Sequence, residues 1–187
     1  MQAWSPATAL GPELLRGVGL QEIVYVAARH LTYYRPEHYP LVFFPTLADL
    51  TQLFLAALKL GMPEIAVPAN EGVTKLRAAL AKALGKDEKE GLALAAKAID
   101  EKGGRVDLAA YIRGVELTAH RAAFLLSGDV HLAGRRIASE TRAIADVTAD
   151  DRRHDLLAYL ASKGLAGARQ KLGVGIKSSL RPGPPDA

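Results

Sequence analysis

The sequence predicts an all-α fold, a multi-helix orthogonal bundle of about seven or eight helices. Two observations carry this. Apolar residues recur at three- and four-residue spacings along most of the 187-residue chain, while no segment alternates apolar and polar residues over five or more positions. Glycine or proline, in turn, closes most of the periodic stretches, as helix stops do.

The clearest element is Val106–Asp129, where Leu108, Tyr111, Ile112, Val115, Ala119, Ala122, Ala123 and Leu126 share one face. Asp107 is placed to cap its start and Gly128 to end it. Glu116 falls on the apolar stripe beside Ile112, Ala119 and Ala123. A carboxylate at such a position is paired or functional, because an unpaired buried charge is costly.

In chain order, Pro12–Leu15 makes a short helical turn. Leu20–Tyr34 follows as a helix, with Leu20, Ile23, Val24, Ala27, Leu31 and Tyr34 on its apolar face and Pro36 as its stop. The link RPEHYPLVFFP is too apolar for a solvated loop and is expected to pack on the core. Leu47–Leu60 is capped by Thr46 and stopped by Gly61. After a proline-containing loop, Val73–Leu84 and Glu88–Lys102 are alanine-rich, lysine-studded outer helices whose charges suit a solvated face. Leu132–Asp146, Ala149–Leu160 and a weaker Leu165–Leu172 complete the set, with Thr148 capping the penultimate helix and Asp150 and Asp151 in its first turn. Residues 1–176 read as a single helical domain and 177–187 as a flexible tail, and the sequence leaves open whether residues before Met1 complete the fold.

Composition narrows the function classes. The apolar fraction of 49% with 24% charged residues is that of a globular protein. With no cysteine there are no disulfides, no thiolate nucleophile and no cysteine-ligated zinc. No signal peptide is visible, and the most apolar stretch, Leu41–Leu60, is broken by Pro45, Asp49, Gln52 and Lys59, so a cytoplasmic protein without a membrane partner is expected. The net charge of +4 is weak and spread along the chain. A nucleic-acid binder using Arg135, Arg136, Arg152 and Arg153 therefore ranks last, and these arginines read first as solvated charge.

Sequence motifs for catalysis are scarce. His30, His38, His120, His131 and His154 form no HExxH and no pair at four residues on one helix, the spacing that fixes two zinc ligands. No GxSxG, GxxxxGK[ST] or GxGxxG occurs. No catalytic residue, metal ligand set or cofactor is assigned on these grounds.

One constellation stands out. The helix containing EIVYVAARHLTYYRPEHY and the helix containing VELTAHRAAFLLSGD together resemble a helical domain at the C-terminal end of large bacterial tetratricopeptide-repeat proteins. That domain is distantly similar to HtpX-like gluzincin zinc metallopeptidases. In those enzymes an HExxH helix supplies two histidine ligands and the general base, and a later helix with the pattern E-x-x-A-D/H-R supplies a glutamate ligand. The resemblance puts Glu116 at the glutamate position, followed by Ala119, His120 and Arg121. It puts Ala28 and Thr32 where the two histidines would stand and Arg29 in place of the catalytic glutamate. It thus implies a degenerate zincin-like helical core with a vestigial site at Glu116, Ala28, Arg29, Thr32 and His120. The lost metal would be replaced by an arginine counter-charge, Arg29 first, then Arg121 or Arg35.

The function expected from this reading is a non-catalytic peptidase-like module for protein–protein interaction or scaffolding. Its partner would be another protein or the remainder of a longer repeat-containing chain. The aromatic link Tyr33–Phe44 is the candidate contact surface, set against plain core packing. The competing expectation is a metal-dependent hydrolase using Glu116, His120 and His30.

Overall fold

The computed structural model describes residues 8–9, 11–140 and 147–173. Within them the chain forms ten helices and no β-strand: α1 (Pro12–Leu15), α2 (Leu20–Thr32), α3 (Pro40–Phe43), α4 (Leu47–Gly61), α5 (Glu71–Ala83), α6 (Lys86–Glu101), α7 (Leu108–Ser127), α8 (Val130–Ser139), α9 (Ala149–Leu160) and α10 (Lys163–Lys171). The all-α bundle expected from the sequence is the observed architecture. The tail expected at 177–187 and the last residues of the helix expected at Leu132–Asp146 lie outside the described residues.

The helix ends follow local chemistry. Asp107, Asp129, Thr148 and Ser162 each accept a backbone N–H through the side chain at the start of α7, α8, α9 and α10. Thr148 and Asp151 form a reciprocal capping box. Gly128 ends α7 in the left-handed region at φ 71°, where a side chain would be strained. The α3 turn was not legible as a helix, because Pro36, Pro40 and Pro45 bracket a segment too short to show a period.

α7 packs most extensively on α2 and also meets α4, α8, α9 and α10, so it is the central element. One core joins Tyr25, Ala28, Ala123, Phe124, Leu132, Ala133, Ile137, Leu156 and Leu165 from α2, α7, α8, α9 and α10. A second joins Leu41, Leu50, Ile112 and Val115, with Tyr33 and Phe44 against it. The aromatic link is therefore split: Leu41, Tyr33 and Phe44 turn inward, whereas Phe43 is 64% exposed.

α5 and α6 both pack on α4, forming an outlying layer. Gly61, at the end of α4, sits against the backbone of α6: a Cβ there would lie 2.8 Å from the Leu92 carbonyl oxygen. Gly61→Ala should therefore push α6 off α4 and cost about 1–3 kcal/mol, the range for overpacking. A urea midpoint equal to that of the parent protein would show that the layer yields without cost.

Two faces differ from the sequence expectation. On α2 the buried residues are Tyr25, Ala28 and Thr32, whereas Leu20 and Leu31, assigned to the apolar face, are exposed. On α7 the buried set includes His120 and Phe124, while Leu126, near the end of the helix, is exposed. In both helices the polar side chains turned inward find partners there, and that outweighs the hydropathy of the alternative face.

Candidate functional site

The inward faces of α2 and α7 meet at a cluster of charged and polar side chains. Glu116 is fully buried at its centre. Arg29 of α2 donates from Nη2 to Glu116 Oε1 at 2.8 Å, and the same nitrogen is 3.2 Å from Oε2 of Glu140, just past α8. Arg152 of α9 approaches from another side, its Nη2 3.1 Å from Glu116 Oε1 and its Nη1 3.8 Å from Glu140 Oε2. His120, one turn beyond Glu116, has Nε2 3.3 Å from Glu116 Oε1 and 3.5 Å from Glu140 Oε2. Its Nδ1 lies 2.7 Å from the Tyr25 hydroxyl. Tyr33 donates its hydroxyl proton to Glu116 Oε2. Two guanidiniums thus bridge two carboxylates, with an imidazole and two phenols closing the network.

This geometry sets the ionisation of the cluster. Burial pushes the Glu116 carboxyl up, but the hydrogen bond to His120, the charge of Arg29 and the Tyr33 hydroxyl outweigh it, so the group is held well below its ordinary 4.5. Glu140 is likewise held low: burial opposes this, and the His120 hydrogen bond and the Arg29 charge prevail. Burial lowers the His120 pKa, yet its hydrogen bonds to Glu116 and Glu140 raise it more, so it titrates above 6.5. Burial first, and the neighbouring carboxylate charges second, push the Tyr25 and Tyr33 hydroxyls up, so both stay protonated.

A pH dependence follows from these directions. The stabilisation from the low Glu116 and Glu140 pKa values is fully present above about 4.5 and is lost as pH falls through their lower folded values. That from His120 is fully present below about 6.5 and is lost as pH rises through its higher folded value. Urea midpoints should therefore be highest between these limits, and His120→Gln should remove the alkaline fall. A midpoint unchanged from pH 6 to 9 would show that His120 is not held protonated by its carboxylates, and one unchanged as pH falls below 4.5 would show the same of Glu116 and Glu140.

Glu116, His120 and Glu140 each offer one ligand atom, all within 4.8 Å of one another, which is the spacing a metal ion could bridge. The residues around them do not fit one. Both guanidiniums are directed at the carboxylate oxygens nearest His120 Nε2, so a cation would share its ligands with two positive charges. The vestigial histidine positions carry no ligand either. Ala28 packs in the core, and the Thr32 hydroxyl donates to the Ala28 carbonyl at 2.9 Å.

The three arginines named as counter-charges part company. Arg29 lies on Glu116. Arg121, on a different face of α7, pairs with Asp155 through Nε at 2.8 Å, and Arg35 pairs with Glu37 beyond the end of α2. His30 is not in the cluster; it is exposed and meets the Tyr34 hydroxyl at 2.9 Å.

Arg152 corrects the reading of the basic pairs as solvated: its side chain is 1% exposed. It lies on the stripe that Ala149, Leu156 and Tyr159 present to the core, so the stripe test applied to Glu116 identifies it too. Arg136 pairs with Glu22 at 2.5 Å and Arg153 with Asp150 at 2.7 Å, so the four arginines of the nucleic-acid reading form no common basic face. Glu140 also carried a signal: in the helix expected at Leu132–Asp146 it falls on the stripe of Ala133, Ile137 and Ile144, so the test applied to Glu116 would have singled it out.

Among proteins of known family, curated function or solved structure, none matches this chain.

Proposed function

We propose that the chain is a non-catalytic helical module, peptidase-like in layout, in which an ion-pair cluster takes the place of a metal centre and whose work is protein–protein interaction or scaffolding. The observation that supports this best is the pair of guanidiniums on Glu116 Oε1, the ligand atom of the resemblance. Hydrolysis by a metallopeptidase needs a cation to lower the pKa of water and a base to take its proton. Here Arg29 and Arg152 occupy the carboxylates, and His120 is locked between two carboxylates and a phenol. Phe43 at the end of α3 and Leu31 in the last turn of α2, both exposed, are the apolar residues offered to a partner.

The competing reading, a metal-dependent hydrolase, rests on the same three ligand atoms of Glu116, His120 and Glu140. Elemental analysis after dialysis against trace zinc separates the two. The interaction-module reading expects no stoichiometric zinc in the parent protein, and zinc uptake in Arg29→Met/Arg152→Met, where the competing charges are gone. Zinc at one per chain in the parent protein, lost in Glu116→Ala, would overturn it.

A further inference from the structure

A cleft of about 300 Å³ opens between α1, α2 and α8, beside the ion cluster. Leu14, Val26 and Ala27 give it an apolar wall, while Arg29, Arg136 and Glu140 give it a polar one. Thr8, ahead of α1, also lines it and is tied to α2 by a hydrogen bond from its Oγ1 to the Tyr34 hydroxyl at 3.2 Å. We propose that this cleft is the seat of the chain's own Trp4, which precedes Thr8 by four residues and lies outside the described residues, with its indole N–H on Glu140 Oε1.

Three features of the cleft favour an aromatic donor. Arg29, His120 and Arg152 all approach Glu140 at Oε2, and among the described residues none meets Oε1. The polar wall therefore keeps one carboxylate oxygen for a donor. An indole N–H donates and accepts nothing, and a buried tryptophan usually satisfies it. Arg29 and Arg136 are the cations of that wall, and a guanidinium is drawn to the face of an indole more than to that of any other ring. Leu14, Val26 and Ala27 supply apolar contact for the remainder of the ring system. Trp4 is the chain's one tryptophan, and four peptide steps from Thr8 reach at most about 14 Å. Tethered so closely, it is presented at an effective concentration of the order of millimolar, which a free ligand would have to exceed. Seated there, Trp4 covers Arg29 and Glu140, whose side chains are 24% and 25% exposed, and shields the cluster from water on that side. This inference does not depend on whether the cluster replaces a metal centre.

Trp4 is its own probe, because it is the only tryptophan whose fluorescence the chain can emit. In the folded protein its emission is expected at shorter wavelength than in urea, with acrylamide quenching at least threefold weaker. Ala27→Leu, which fills the apolar wall without touching a charge, should return both readings to those of an exposed indole while the helical circular dichroism is kept. A second measurement does not need that variant. Free indole, followed by NMR titration, should bind Trp4→Ala at one per chain and the parent protein at least tenfold more weakly. Trp4→Ala leaves every residue of the two described cores in place. Emission and quenching equal to those in urea, readings indifferent to Ala27→Leu in a folded protein, or equal indole uptake by the parent protein and Trp4→Ala, zero included, would each overturn the proposal.

Discussion

Glu116→Gln lowers the stability of the fold by about 3–5 kcal/mol, the usual cost of removing one partner from a buried ion pair. The amide has nearly the shape of the carboxylate, so the loss reports charge and not packing. It leaves Arg152, 1% exposed, facing a neutral amide where it faced a carboxylate at 3.1 Å. The deficit should be largest at pH 5–6, where Glu116 is ionised and His120 protonated. Replacing the charges together, as Glu116→Leu with Arg29→Met and Arg152→Met, should recover much of the loss, because apolar side chains of similar volume are often as stable as a buried ionic group. A loss below about 1 kcal/mol for Glu116→Gln, the range of an exposed pair, would mean that water reaches the carboxylate.

Arg152→Met and Arg153→Met should behave very differently although they are neighbours. Methionine keeps much of the aliphatic volume of arginine but removes the charge. At 152 that removes one of the two guanidiniums facing the buried Glu116 carboxylate and should cost about 3 kcal/mol or more. At 153 it removes one exposed pair with Asp150 and should stay within about 0.5 kcal/mol. Urea denaturation of the two variants side by side measures this difference. Equal effects would contradict the burial of Arg152.

The fold was largely legible because helix caps and stops are local. Asp107, Thr148 and Gly128 do at the ends of α7 and α9 what their residue types imply. The site was legible in part. Glu116 drew attention because a carboxylate on an apolar stripe requires a partner, and Arg29 stands on it. The remaining members were hidden for a physical reason. Tyr25, Arg29 and Thr32 make the buried face of α2 partly polar, so hydropathy pointed to the face of Leu20 and Leu31 instead. Arg152 read as half of a solvated basic pair, since two adjacent arginines look alike in sequence while a helix turns them about 100° apart. Tyr33 and Glu140 lie inside the longer helices the sequence predicts but just past the ends of α2 and α8, and neither was tested against its stripe as Glu116 was.

The central claim is that buried Arg152 and half-buried Arg29 hold Glu116 where the resemblance would place a metal. A double-mutant cycle between Glu116→Gln and Arg152→Met, read from urea denaturation at pH 6, tests it most directly. The account predicts a coupling of about 2–3 kcal/mol, the upper part of the range for residues sharing one ion-pair network. Coupling within error of zero would contradict it.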